Sequence, residues 1–249
     1  MPNLLFITSD QQRWDTLPCY GLDFIQTPNL DRIAREGLVF ENAVVPAPLC
    51  VPCRAALLSG QYPATTGTGK VNLDHVPLWP EQISAHHQTV AVGKMHFNPF
   101  DATGGFQERI IAEDKRHIYL PDDHVKFLQF HGMERFHPTE KPGYFEHLGA
   151  SVTPRPERFH IDAFVGDQAA SWIESSGDDP FAMWVSFPGP HDPYDPPEAM
   201  ADMYYDAPIP EPIGSPEELV NKPPTQRGRN KSSINSSMYQ IDLSTATPA

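Results

Sequence analysis

The chain has 249 residues, of which 39% are hydrophobic and 20% are charged, so it is long enough for one substantial α/β domain with a full core, or at most two small domains. Its formal net charge of −14 argues against binding to nucleic acid or to an anionic membrane through bulk electrostatics, and we expect neither as a partner. Three cysteines are too few for a disulfide scaffold, and their odd number leaves at least one unpaired thiol.

The N-terminal segment predicts a strand rather than a targeting signal. It lacks a basic region, and its apolar run of four residues is far shorter than the about 20 residues of a membrane span. A cytoplasmic location is therefore expected. The same run predicts a buried first strand at residues 3–8, which ends at a polar loop.

Asp10 and Gln11 follow this predicted strand directly. The carboxyl end of a buried strand is where open α/β sheets bind their ligands. Asp10 could therefore bind a hard cation, with Gln11 offering a neutral oxygen. On position alone, however, an Asx turn or a helix cap explains Asp10 better.

The next elements lead to the cysteine pair. Residues 27–37 predict a helix that Gly37 stops, and residues 38–45 predict a second strand. A Pro-rich elbow then leads to Cys50 and to a short apolar helix at residues 54–59. A strand, an elbow and a helix in this order often expose a nucleophile above a sheet.

Cys50 lies at the start of that helix, with Arg54 close by in the sequence. Free N–H groups and the helix dipole favour an anionic group at such a place. A redox pair of Cys50 and Cys53 is an alternative, because Cys-Val-Pro-Cys at a helix start lowers a thiol pKa. It leaves Arg54 without a role, and no strand of the usual redox type precedes it. A zinc site is weaker still, because no second Cys-x-x-C or spaced His pair completes four ligands.

Further along the chain, residues 89–93 predict a short strand that runs into Lys94 and His96. Strand alternation would place these two side chains on the same face. Residues 98–158 show no sustained periodicity, so they predict substrate-facing loops or a small hairpin.

Residues 161–173 predict a helix, and residues 181–187 predict a second buried strand that leads to His191. From about residue 206 the chain is rich in Pro and Ser and offers no apolar face to bury. We therefore predict a disordered tail at 206–249.

Six polar side chains consequently lie near predicted strand ends. They are Asp10, Cys50, Arg54, Lys94, His96 and His191. Taken alone, each has an ordinary explanation, since a single His or Lys is more often structural or solvated than catalytic. Their convergence favours a functional site.

The residues around Cys50 also resemble a known signature. The segment Cys50-Val-Pro-Cys-Arg54 is similar to the Cys-x-Pro-x-Arg core of the type I sulfatases, in the alkaline-phosphatase-like superfamily. Further resemblances follow in the family's order. They are Asn3-Leu-Leu-Phe-Ile-Thr-Ser-Asp-Gln11, Thr27-Pro-Asn-Leu-Asp-Arg32, Val92-Gly-Lys-Met-His96 and Phe187-Pro-Gly-Pro-His-Asp-Pro193.

The resemblance implies an α/β fold with a mostly parallel central sheet flanked by helices, incomplete at its C-terminal side. It implies a partial catalytic domain at residues 1–205, before the tail at 206–249. It also implies hydrolysis of the sulfate ester of a small molecule or a glycan, by a formylglycine that a formylglycine-generating enzyme makes from Cys50. A divalent cation, usually Ca²⁺, holds the hydrated aldehyde that attacks sulfur.

The resemblance also implies a role for each residue. Asp10, Gln11 and the modified Cys50 are metal ligands, and Gln11 stands where many relatives have a second Asp. Arg54 holds the nucleophile and the charge near the metal. Lys94 and His191 contact the sulfate oxygens and help to protonate the leaving group. His96 assists the turnover of the hydrated aldehyde.

Two departures from the family pattern affect these expectations. Cys53 stands where most relatives have Ser or Ala, and a disulfide with Cys50 would block maturation. The family's later metal ligands, a further sulfate-binding Lys and its C-terminal subdomain have no counterpart in this sequence, which therefore predicts about half a metal site. A catalytically inactive remnant and a phosphonate or phosphate ester hydrolase of the same superfamily stay open as alternatives.

Overall fold

A parallel sheet positions the candidate residues. The computed structural model describes residues 1–67, 76–115, 117–136, 140–147, 149–210 and 220–223. Its four strands are β1 (Leu4–Ser9), β2 (Gln88–Gly93), β3 (Glu108–Ile111) and β4 (Phe181–Phe187), in the order β1-β4-β2-β3. Every neighbouring pair is parallel. The predicted α/β class with a parallel central sheet is therefore confirmed.

Short helices connect the strands. They are α1 (Pro28–Glu36), α2 (Cys50–Ser59), α3 (Pro63–Thr66), α4 (Trp79–Ile83), α5 (Asp123–Phe130), α6 (Ile161–Ser175) and α7 (Glu198–Asp202). Their ends follow the expected chemistry. Gly60 ends α2 in the left-handed conformation, and the side chain of Asp122 accepts a hydrogen bond from the Val125 amide at the start of α5.

Both faces of the sheet interior are covered by apolar side chains. On one face, Ala91 and Trp184 belong to a buried cluster with Ala55 and Leu58 of α2. On the other face, β2 and β4 pack against α6. That cluster includes Val90, Val92, Met183, Val185, Phe164, Val165 and Ala169. Residues of opposite parity on β2 and β4 thus enter different cores, as the alternation of side chains along a strand requires.

The first strand forms as predicted, but the prediction that it is buried is wrong. Four consecutive apolar side chains of β1, at positions 4 to 7, are 39 to 50% exposed, whereas β4 beside it is almost fully buried. The reason is its position. Within the described residues, β1 pairs with β4 alone and forms an edge of the sheet.

The segment after α1 also differs from its prediction. Residues 38–45 form no strand, and the side chains of Leu38, Phe40 and Val44 are largely exposed. β-branched and aromatic residues favour a strand only where a partner strand and a core are available. Composition alone therefore gave the wrong prediction for this segment. The apolar side of α1 is likewise uncovered, since this helix has no buried residue.

The region 98–158 contains more regular structure than its sequence predicts. It includes β3 and α5, and β3 pairs with β2 in parallel, with Gly93 opposite Ile111. A parallel pair cannot be a hairpin, so the hairpin alternative is wrong for this strand. The helix at 161–173 and the strands at 89–93 and 181–187 are confirmed, within one or two residues at their ends.

The chain divides into two units. The first comprises Met1–Arg135 and Pro156–His191 and contains the whole sheet; the second comprises Phe136–Arg155 and Asp192–Ala249. Within the second unit, Lys141 Nζ pairs with Asp195 Oδ2 at 2.6 Å, and the guanidinium carbon of Arg155 lies 4.4 Å from the ring centre of Phe136.

Most of the predicted tail at 206–249 lies outside the described residues. In the part of the chain that is described, none of the helices combines the length and the apolar character needed to cross a lipid bilayer.

Candidate active site

The candidate site lies where three parallel strands end. Asp10 follows β1, Lys94 follows β2, and Ser186 is the penultimate residue of β4. Parallel strands place their carboxyl ends at the same edge of a sheet, and ligands bind there in open α/β folds. Gly93 fits the close approach of β2 and β4. It has φ +104°, and a Cβ there would lie 2.1 Å from the carbonyl oxygen of Ser186.

A buried ion-pair network joins these strand ends. Lys94 Nζ lies 2.6 Å from Asp10 Oδ2 and 2.9 Å from Asp114 Oδ2. Arg54 Nη2 lies 3.2 Å from the same oxygen of Asp10. All four side chains are at most 7% exposed. Two cations thus face two carboxylates, which is the kind of pairing that buried charges need.

The protonation of Asp10 follows from this network. Burial raises its pKa, but the positive charges of Lys94, Arg54 and His191, and the hydrogen bond from Lys94, outweigh burial. The pKa of Asp10 is therefore lowered overall, and the group is a carboxylate at neutral pH. His191 is itself buried and lies close enough for its charge to act on Asp10.

Arg54 links the helix that carries Cys50 to two strand ends. From the first turns of α2 its Nη1 donates to the Lys94 carbonyl oxygen and, at 2.8 Å, to Ser186 Oγ. Its guanidinium carbon lies 5.5 Å from the ring centre of Trp184. A planar group with five donors suits this fixed position better than an ammonium would.

Cys50 is the first residue of α2, which begins four residues before the predicted helix at 54–59, and its thiol faces Asp10. Its Sγ donates to Asp10 Oδ1 at 3.5 Å. Burial first, and then the charge and hydrogen bond of Asp10, raise the pKa of Cys50, although Lys94 and Arg54 oppose this. Since the ordinary value is 9.0, Cys50 is a protonated thiol at neutral pH.

The redox alternative is therefore not supported. It required a lowered thiol pKa, whereas burial raises the pKa of Cys53 as well as that of Cys50. Both cysteines are free thiols, so no disulfide joins them. The helix start does not outweigh the loss of solvation and the neighbouring carboxylate.

His96 has an unusual backbone. Strand β2 ends at Gly93, and His96 has φ +61°, so the alternation argument does not extend to its side chain. Burial first, and then the charge of Lys94, lower the pKa of His96 from 6.5 to about 4. Its ring is therefore neutral at neutral pH, and its centre lies 5.4 Å from that of His117.

Gln11 stands apart from these residues. Its side chain is exposed and its backbone is left-handed, with φ +63°, while Asp10 before it is buried. It takes part in none of the contacts that join Asp10 to Lys94, Arg54 and Cys50. In this structure the two residues expected to bind one metal ion therefore differ in their surroundings.

A metal ion would need more ligands than these residues supply. Among the described residues, no three His, Cys, Asp or Glu side chains are grouped so that they could hold one together. Ca²⁺ takes six to eight oxygen ligands. The candidate set offers one buried carboxylate, Asp10, and one of its oxygens already faces both Lys94 and Arg54. The donors present do not complete a calcium site.

Three residues of this region were missed by sequence reasoning. Asp114 and Glu113 follow β3, and Ser186 lies inside β4. Their contribution depends on the parallel pairing of β2 with β3 and β4, which a single sequence does not reveal. The one available signal for Glu113 and Asp114 was an acidic pair one residue after two isoleucines.

Known proteins are similar to this chain in sequence and in fold. The family profile described as Sulfatase matches residues 2–241. An arylsulfatase of Clostridium perfringens is 31% identical over 242 residues, which is 85% of this chain and 48% of that protein. A choline-sulfatase of Rhizobium meliloti is 30% identical over 226 residues, which is 82% of this chain and 41% of that protein. The chain thus spans about half the length of the curated relatives it matches.

Solved structures agree on the fold. A phosphonate monoester hydrolase of Agrobacterium radiobacter superposes with a TM-score of 0.71 at 20% identity, over 97% of this chain and 52% of that one. A protein solved with its substrate D-glucosamine-2-N,6-O-disulfate gives a TM-score of 0.64 at 22% identity, over 97% of this chain and 46% of that one. Together with the profile match across almost the whole sequence, these similarities show that the chain belongs to the sulfatase family.

Proposed function

We propose that this chain carries the nucleophile and part of the sulfate-binding site of a sulfate ester hydrolase. The observation that carries the proposal is the contact of Cys50 with Asp10, at a helix start next to two buried cations, Lys94 and Arg54. Curated relatives named as sulfatases, at 30 and 31% identity, support the same activity. The substrate class is the sulfate ester of a small molecule or a glycan.

The thiol of Cys50 is not the nucleophile in this proposal. A protonated thiol that is partly buried and donates a hydrogen bond to a carboxylate is a poor nucleophile at neutral pH. The sulfatase family generally uses a formylglycine, and Cys50 stands at the signature position for this modification. The chain therefore requires a formylglycine-generating enzyme as a partner before it can act.

The other side chains have electrostatic and positioning roles. Lys94 and His191 contact the sulfate oxygens and help to protonate the departing alcohol. Arg54, held by Ser186 and by the Lys94 carbonyl, keeps the start of α2 against the sheet. His96, neutral at neutral pH, can accept a proton from the modified side chain at position 50. Fixed donors and charges are most effective where negative charge shifts during transfer.

A divalent metal is general to the family, and Asp10 is the residue here that would contribute to holding it. Gln11, with its exposed side chain, would have to turn inward to add a second oxygen. Because the described residues do not complete a site, no step of the reaction is assigned to the metal. Full activity needs oxygen ligands beyond those that this part of the chain supplies.

The modification can be tested directly. The chain is expressed with and without a formylglycine-generating enzyme, and the peptide that contains Cys50 is analysed by mass spectrometry. Conversion of Cys50, with Cys53 unchanged, is the expected result. The matched control is Cys50→Ser. An unmodified thiol at position 50 in every preparation would rule out the formylglycine route.

Phosphonate ester hydrolysis is a second candidate. Two phosphonate monoester hydrolases superpose with TM-scores of 0.71 and 0.68. Rates on an aryl sulfate and on an aryl phosphonate monoester, compared on the modified chain, separate the two activities. No turnover of either substrate, with Cys50 fully converted, would instead identify an inactive remnant.

A further inference from the structure

Glu113 carries a buried carboxylate that the proposed chemistry does not use. Glu113 is only 1% exposed. Its Oε1 accepts two backbone hydrogen bonds, from the Met95 amide at 3.1 Å and from the His96 amide at 2.8 Å. Both amides belong to the segment that follows β2.

These amides lie where the sheet no longer provides partners. The pairing of β2 with β3 ends at Gly93 opposite Ile111, and the Ala112 amide adds one more bond to the Gly93 carbonyl. Met95 is fully buried, so an unpaired amide there would be costly. The Glu113 carboxylate replaces the missing strand partner.

The same carboxylate holds an unfavourable backbone. His96 has φ +61°, in the left-handed region that non-glycine residues seldom adopt. Such a conformation persists when the surrounding structure fixes it. Here the Glu113 carboxylate, which accepts from the amides of Met95 and His96, is the contact that fixes this conformation.

Glu113 is itself held in place. Its backbone amide donates to Asp122 Oδ2 at 2.8 Å. Asp122 caps α5 and pairs with Arg135 at 3.0 Å. The next residue, Asp114, binds the Lys94 ammonium. Two consecutive residues after β3 thus hold, respectively, the backbone of His96 and the side chain of Lys94.

We propose that Glu113 is a positioning residue for His96: its Oε1 fixes the left-handed turn that keeps the imidazole beside Lys94. This inference rests on the proposed function only for the role of His96 in turnover. The geometric part stands independently. Among the described residues, Oε2 of Glu113 has no hydrogen-bond partner, so one oxygen provides the whole effect. Glutamine can therefore replace Glu113, whereas alanine cannot.

The titration of His96 by NMR, on histidine-labelled full chain, reports the position of its ring. Burial has the largest effect on the pKa of His96 and lowers it. The charges of Lys94, Arg54 and His117 lower this pKa further, and the charge of Asp114 raises it. In Glu113→Ala the ring leaves this environment, and the pKa of His96 is expected to rise from about 4 toward 6.5. Loss of a nearby negative charge alone would lower it, so a rise reports displacement.

The matched variants make the test decisive. Glu113→Gln is expected to keep the pKa of His96 at about 4, and Glu174→Ala, on the exposed side of α6, serves as the unrelated control. Hydrogen exchange at the Met95 and His96 amides is expected to be at least about tenfold faster in Glu113→Ala, because both bonds are lost. If this variant fails to fold, Glu113→Asp provides a shorter carboxylate that cannot reach both amides.

The proposal is wrong if folded Glu113→Ala or Glu113→Asp retains the wild-type titration of His96 and the wild-type exchange at both amides. It is equally wrong if Glu113→Gln behaves like Glu113→Ala. Neither readout depends on turnover or on conversion of Cys50. Failure of this inference is therefore distinguishable from failure of the proposed hydrolase function.

Discussion

The ammonium of Lys94 lies 2.6 Å from Asp10 Oδ2 and is completely buried, so two strand ends are joined by an ion pair without access to water. Asp114, which follows β3 on the other side of β2, holds the same ammonium at 2.9 Å. A buried cation shared between two carboxylates is difficult to remove, because its loss leaves both anions buried.

Replacing this lysine tests the network. Lys94→Met is expected to lower the free energy of unfolding at pH 7 by about 3 kcal/mol, the usual cost of breaking a buried pair. The loss should shrink as the pH falls, because burial raises the pKa of Asp10 and the variant lacks Lys94, the largest opposing influence, so Asp10 binds a proton more readily in the variant. Urea unfolding at pH 7 and pH 5 measures both effects. Lys126→Met, which removes an exposed pair with Asp123, is the control and should cost less than about 1 kcal/mol. An equal loss in the two variants would contradict the prediction.

The thiol of Cys50 should become more reactive when Asp10 loses its charge. Burial, and then Asp10, raise the pKa of Cys50, so Asp10→Asn removes an opposing negative charge and lowers this pKa. At pH 8, alkylation of Cys50 by iodoacetamide is expected to be about three- to tenfold faster, since one pKa unit changes the thiolate fraction tenfold. Peptide mass spectrometry follows Cys50 separately, and exposed Cys19 is the internal reference. Slower alkylation at Cys50 would contradict the assigned electrostatics.

His96 should make stability depend on pH. Its pKa is about 4 in the folded chain and 6.5 ordinarily, so the unfolded chain binds more protons between these values. Stability from this group is therefore complete above pH 6.5 and is lost progressively as the pH falls toward 4. Between pH 7 and pH 5 we expect a loss of about 1 kcal/mol, reduced from the full linkage value because the ring is partly exposed. His96→Gln should lack this component in urea midpoints, and an identical pH dependence would contradict the assignment.

Calcium should stabilise this chain little. Of the expected metal ligands only Asp10 is a buried carboxylate, whereas a calcium site needs six or more oxygens, so we expect a dissociation constant above about 1 mM. At about 1 mM calcium the melting temperature should then rise by less than about 2 °C. A rise of several degrees that Asp10→Asn abolishes would show that the chain completes a site by other means. Magnesium at the same concentration controls for ionic strength.

The edge strand should drive self-association. Leu4 to Ile7 expose apolar side chains beside a row of backbone groups that no described strand pairs with. Such an edge is an aggregation hazard, and an edge lysine is a common natural remedy. Ile7→Lys should reduce concentration-dependent association in light scattering, whereas Phe130→Lys, at an exposed position of α5, should not. Monomeric wild-type chain at high concentration would contradict this expectation.

Local sequence patterns predicted the elements whose apolar residues are buried against neighbouring elements. Strand β4 and helix α6 pack against each other with continuous or periodic apolar residues, and both form where expected. Residues 38–45 have similar composition but no partner strand, so propensity alone gave the wrong state. Strand β3 was missed because it has four residues and half of them are charged.

The candidate site was also predicted only in part, because sequence motifs do not reveal the register of the strands. Motif order identified Asp10, Cys50, Arg54 and Lys94, which do meet in the structure. Asp114 and Ser186 join them only through strand register, and a one-residue shift of β3 would remove Asp114. The acceptor of the His96 amide is the side chain of Glu113, seventeen residues later, and no local pattern signals this contact.

The outer edge of β1 has a consequence for the chemistry as well as for solubility. A strand that paired there would run about 4.8 Å from β1, and its end would therefore lie beside Asp10. A second chain that paired in parallel with this edge would therefore bring its own backbone close to Asp10, so self-association and the candidate site involve the same end of β1.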